Sequence, residues 1–122
     1  MRMMSVLILE DSYLIAASLE TALIEAGHRV TVAGSLAEAE EAVGSGRFVA
    51  ALLDYMLPDG DSLALARRLH AGGCKVALVS GIDRAAVPPD GAIAALFAKP
   101  TDEDELVAWV GEATGVDRAK VA

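Results

Sequence analysis

Along this chain the hydrophobic pattern changes period again and again, from short runs apolar almost throughout to stretches whose apolar residues stand three and four apart. Runs apolar on both faces are what strands look like when helices cover both sides of a sheet, and the wider spacing is the stripe of a helix. Five runs read as strands: Val6 to Leu9, Arg29 to Ala33, Phe48 to Leu53, Lys75 to Val79 and Ala94 to Ala98. Strands separated by helices pair in parallel, through right-handed crossovers.

The helices between them have marked ends. The first is expected from about Ser12 to Ala26, with Ile15, Leu19, Ala22, Leu23 and Ala26 on its inner stripe and Gly27 as its stop. The second opens with the capping box Ser35-Leu-Ala-Glu38, and the last with a looser version, Thr101-Asp-Glu-Asp104. The third runs from Ser62 to about Ala71, carries Leu63, Leu65, Ala66 and Leu69, and ends at Gly72-Gly73. After the fourth strand, Pro88-Pro89-Asp90-Gly91 leaves room for barely one turn from Asp83, so helix 4 is expected to be shortened or missing. The implied fold class is α/β: a doubly wound, flavodoxin-like, five-stranded parallel sheet in strand order 2-1-3-4-5.

A chain of 122 residues fits a single domain spanning 1–122. The residues beyond Lys99 suffice for one helix and a short tail, so no output domain is expected. No stretch free of Asp, Glu, Lys and Arg exceeds eight residues, which argues against a membrane span. A lone cysteine, Cys74, cannot form an internal disulfide, and a cytoplasmic location is expected. A net charge of −8 would repel a nucleic-acid backbone, so direct nucleic-acid binding is not expected.

In sheets of this kind ligands bind at the carboxyl ends of the strands. There the sequence puts Glu10 and Asp11 after strand 1, Asp54 after strand 3, Ser80 after strand 4 and Lys99-Pro100 after strand 5. Strands 1 and 3 are neighbours in the expected order, so three carboxylates converge on one rim. Such a group repels itself unless a cation sits within it, and an all-oxygen donor set suits Mg²⁺ or Mn²⁺ better than zinc.

Four separated motifs carry a resemblance: Val-Leu-Ile-Leu-Glu-Asp at 6–11, Leu-Leu-Asp-Tyr-Met-Leu-Pro-Asp-Gly at 52–60, Val-Ser-Gly at 79–81 and Phe-Ala-Lys-Pro at 97–100. From Val6 to about Ala113 the chain resembles the receiver domains of two-component response regulators, of the single-domain type. The resemblance implies that Asp54 is the phospho-accepting aspartate and that Glu10 and Asp11 hold Mg²⁺ with it. It gives the backbone carbonyl of Met56 the remaining protein place in the metal shell, Ser80 the switch hydroxyl and Lys99 the phosphoryl contact. The implied partners are a histidine kinase or a histidine phosphotransfer protein, and the implied chemistry is confined to the protein's own phosphorylation and dephosphorylation rather than turnover of a substrate.

Two departures bear on the switch. Leu96 stands where many receivers have Tyr or Phe, and strand alternation puts its neighbour Phe97 on the opposite face. Thr101 stands where many have Phe, a difference that its expected capping role accounts for. Leu96 and the short fourth connection motivate an alternative, a receiver-fold scaffold that does not respond to phosphate. An aspartyl-phosphate phosphatase is a weaker alternative, because its general acid would fall at Met56. His28, His70 and Cys74 lack metal or triad spacing, and Trp109 is expected on the core side of the last helix.

Overall fold

The computed structural model describes residues 5–82 and 84–116. Their elements are β1 (Ser5–Leu9), α1 (Tyr13–Glu25), β2 (Val30–Ala33), α2 (Leu36–Ser45), β3 (Phe48–Asp54), β4 (Met56–Leu57), β5 (Gly60–Asp61), α3 (Leu63–Ala71), β6 (Lys75–Ser80), β7 (Ile93–Ala98) and α4 (Glu103–Thr114). Five strands form one parallel sheet in the order β2-β1-β3-β6-β7, which is the expected order once β4 and β5 are set aside. Those two short strands pair only with each other, as an antiparallel hairpin that the hydrophobic pattern does not announce. Between β6 and β7 the described residues hold a single 3-10 turn, Arg84–Ala86, in line with the expected loss of a helix; Asp83, its expected start, lies outside the described residues, as do 1–4 and 117–122.

Side chains alternate between the two faces of the sheet. Leu7, Leu9, Ala51, Leu53, Val76 and Leu78 pack on one face with Ala39 of α2 and Leu65, Ala66 and Leu69 of α3. Val6, Ile8, Ala50, Leu52, Ala77 and Val79 pack on the other with Leu19 and Leu23 of α1 and Leu106 and Val110 of α4. Leu96 and Phe97 fall on opposite faces, and Trp109 packs half-buried against the second cluster, both as expected.

Four details of the helices differ from the sequence reading. The buried stripe of α1 is Ala16, Leu19 and Leu23, while Ile15 is 50% exposed, because it lies a step of about 100° around the helix from Ala16. Asp102, not Thr101, caps α4 by accepting from Asp104 N–H at 2.9 Å, and the Thr101 hydroxyl donates to Ala98 C=O. Ser62 precedes α3 without capping it. At α2 half of the expected box forms, Ser35 Oγ accepting from Glu38 N–H, while Glu38 Oε1 reaches one residue further back and accepts from Gly34 N–H.

Candidate functional site

Parallel pairing puts Leu9 beside Leu53, Asp54 beside Val79 and Ser80 beside Ala98, so the residues that end or follow these strands share one rim. Glu10 and Asp54 are buried there, at 6% and 4% exposed, whereas Asp11 is exposed. Lys99 reaches over both buried acids, its Nζ 2.9 Å from Asp54 Oδ1 and 3.0 Å from Glu10 Oε1. Glu10 Oε2 accepts from the Ser12 N–H, so both oxygens of Glu10 are engaged.

Asp54 Oδ2 is different: it is buried and has no hydrogen-bond partner among the described residues. A buried carboxylate oxygen left this way is costly unless something else approaches it. Carboxylate oxygens of Glu10, Asp11 and Asp54 all lie within 4.8 Å of one another. The orphaned oxygen and the clustered hard donors together fit a divalent cation of the Mg²⁺ or Mn²⁺ kind, and the acidic cluster is able to bind a metal ion.

Burial is the main force raising the Asp54 pKa from 3.8 to about 7, the neighbouring Glu10 carboxylate adds to it, and Lys99 opposes it. Glu10 moves the other way. Burial works against its charge, but the interaction with Asp54, the Ser12 N–H and the Lys99 ammonium together hold its carboxyl below the ordinary value. The Lys99 ammonium is held above its ordinary value, since the two carboxylates outweigh its own desolvation. Asp54 is therefore the member of the pair that keeps a proton longest when no cation is present.

The hairpin carries the fourth expected donor. Ser62 N–H donates to Tyr55 C=O at 2.9 Å just beyond the two-position ladder, while Tyr55 N–H donates to Val79 C=O on the sheet. Met56 pairs with Asp61 at the next position, where alternation leaves backbone groups pointing out of the ladder, so the hairpin does not consume the Met56 carbonyl. At the hairpin's tip Asp59 accepts from the N–H groups of Leu36 and Ala37, each at 3.2 Å, and so fastens the loop to the start of α2. At its base the Ser62 hydroxyl donates to Asp54 C=O at 2.6 Å. Sequence reasoning misses both anchors; the adjacent Asp61 and Ser62, two N-cap residue types before one helix, are the available signal.

Ser80 is buried, and its Oγ accepts from Ile82 N–H at 3.1 Å. Its backbone carbonyl accepts from Lys99 N–H at 2.8 Å, tying the ends of β6 and β7 together. A cavity of about 430 Å³ opens beside Glu10, Asp54 and Lys99, between α1 and α4, with Leu14, Ile15, Thr101 and Leu106 among its mainly apolar walls. Cys74 plays no part: it is buried on the α3 side and its thiol is pushed by burial up to about 12.

The family model for the response regulator receiver domain matches residues 6–111. A transcriptional regulatory protein, PmrA of Pectobacterium parmentieri, is 40% identical over 65 residues, 53% of this chain; the match spans about 29% of that protein's length. The CheY-like receiver domain protein of Methanospirillum hungatei JF-1 superposes with a TM-score of 0.83 at 23% identity, over 98% of this chain and 99% of its own. The response regulator TrrA of Thermotoga maritima, solved in complex with Mg(2+)-BeF, gives 0.77 at 23% identity, over 91% and 99%. At these identities the two structures speak for the fold.

Proposed function

The chain belongs to the response regulator receiver domains of two-component systems, and from that premise we propose that it is a phosphoacceptor, modified on Asp54 by a histidine kinase or a histidine phosphotransfer protein. The observation that carries the reading is the environment of Asp54: a buried carboxylate with one oxygen on Lys99 and the other unpartnered beside Glu10 and Asp11. A carboxylate oxygen of Asp54 attacks phosphorus in line, the donor's bond to phosphorus breaks, and an acyl phosphate remains. Glu10, Asp11, Asp54 and the Met56 carbonyl would hold Mg²⁺ or Mn²⁺, which when bound supplies charge neutralisation for the transferring group. Lys99 contributes the second positive charge, and its grip on Asp54 and Glu10 keeps the attacking carboxylate oriented.

The product adds roughly 1.5 to 2 negative charges and three acceptor oxygens at this rim. Lys99 and the Ser80 hydroxyl are the groups that track it, and since they end adjacent strands, their movement shifts the loops after β6 and β7 together. A downstream protein reads that shift. The chain acts as a single receiver domain and performs no turnover of its own; at the general-acid position of aspartyl-phosphate phosphatases it has Met56, whose side chain is exposed and apolar. Treatment with acetyl phosphate and Mg²⁺ should add one phosphate by intact mass, and Asp54→Asn should abolish the gain. An unchanged wild-type mass would count against the proposal.

The second reading, a scaffold indifferent to phosphate, draws on Leu96 and on the single 3-10 turn between β6 and β7. Partner binding that is equally tight with and without a phosphoryl mimic plus Mg²⁺ would favour it, because a ligand without preference shifts no equilibrium.

A further inference from the structure

Ser62 stands where α3 would be capped, yet its hydroxyl does no capping. Asp61 Oδ1 accepts from the Leu63 N–H at 3.0 Å in its place. The Ser62 side chain, fully shielded from solvent, turns back to donate to Asp54 C=O at 2.6 Å, and its N–H donates to Tyr55 C=O at 2.9 Å. One residue thus holds two consecutive carbonyls and closes the base of the β4–β5 hairpin. Everything the hairpin contributes to the rim leaves the chain between that clip and the Asp59 anchor on α2.

We infer that Ser62 is a positioning residue for the metal-binding half of the site, an inference that rests on the function proposed above. The peptide joining Asp54 to Tyr55 sets both the direction of the Asp54 side chain and the tilt of the Met56 carbonyl two residues on. Without the hydroxyl, the Asp54 carbonyl loses this donor in a place that excludes water, and the peptide turns to find another. Two of the four oxygen donors then leave their places. Ser62 touches neither cation nor phosphate; it acts through the backbone of the residues that do, as outer groups do for metal ligands generally.

The test is calorimetric titration of the full chain with Mg²⁺ alone. Ser62→Ala is expected to keep the wild-type circular dichroism and to bind Mg²⁺ about tenfold more weakly. Ser62→Thr, which restores the hydroxyl, brings the affinity back towards wild type. Should Ser62→Ala not fold, Ser62→Gly, which retains the N–H bond to Tyr55, is expected to show the same loss. Val110→Ala, on the opposite face of the sheet, lowers the melting temperature and leaves the affinity unchanged, so loss of stability alone does not imitate the effect. Wild-type affinity in the hydroxyl-less variant, or an equal loss in Val110→Ala, overturns the inference alone. No binding heat from the wild type contradicts the proposed function, and the inference falls with it.

Discussion

At Asp54 the proposed function sets two demands against each other: a nucleophile must be ionised, and a site that excludes water opposes ionisation. In the structure Lys99 sits on one oxygen, and the other is left without a hydrogen-bond partner beside Glu10 and Asp11. The pKa shifts fix the sign of the pH dependence. The folded pKa of Asp54 is raised from 3.8 to about 7, so this group's contribution to stability is complete below the unfolded value and is lost as pH rises through about 7. Glu10, whose pKa is lowered, contributes in the opposite sense, with stability present above its unfolded value and lost as pH falls. Since a cation competes with the proton on Asp54, the rise in melting temperature produced by Mg²⁺ should grow from about pH 5.5 to about pH 8. Thermal unfolding with and without Mg²⁺ checks this; an increment that shrinks over that range would contradict it. Asp54, Glu10, Asp11, Ser80 and Lys99 are legible in the sequence because each ends or follows a run of buried apolar residues. Ser62 is not, because a serine before a helix reads as its cap, and only coordinates reveal that Asp61 has taken that task.

The elements show where pattern reading works and where it stops. Strands apolar on both faces can be placed within a residue or two, and Gly27, with φ of +99°, ends the first helical stretch where its sequence says it should. The β4–β5 hairpin escapes because each strand is two residues long, too short for any period to register. The apolar spacing sets the α1 stripe one residue off at its start, and this has a measurable consequence. Leu23 is fully buried, so Leu23→Ala should cost about 2 to 5 kcal/mol by urea unfolding. Ile15→Ala, at a half-exposed position, should cost less than about 0.5 kcal/mol. Comparable losses at the two positions would return Ile15 to the core. At the hairpin tip, Asp59→Ala removes both acceptor oxygens for two N–H groups of α2 and should lower the melting temperature by a few degrees, and Asp59→Asn, which keeps one acceptor oxygen of the two, should give an intermediate loss by the same measurement.

For the molecule as a whole, acids crowd the carboxyl ends of the strands. Arg29, Arg47 and Lys75 lie at the amino ends of β2, β3 and β6, while Glu10, Asp11, Asp54 and the run Asp102 to Glu105 lie at the carboxyl ends with Lys99. Among the described residues no helix is long and apolar enough to cross a membrane. An acidic reactive end on a chain of net charge −8 repels small anionic donors, so phosphorylation by acetyl phosphate at saturating Mg²⁺ should speed up as ionic strength rises towards physiological. A rate that falls with added salt would mean that Lys99 and the bound cation, rather than the acidic rim, govern the approach.

Which atom receives the phosphoryl group decides between Asp54 and its acidic neighbours. Borohydride reduces an aspartyl phosphate to homoserine, which fixes the position of the modification before it hydrolyses. After exposure to acetyl phosphate and Mg²⁺, reduction and peptide sequencing by mass spectrometry should place homoserine at position 54, and omission of either reagent should remove it. Reduction product at Glu10 or Asp11, or none at all in protein that retains its fold, would contradict the assignment.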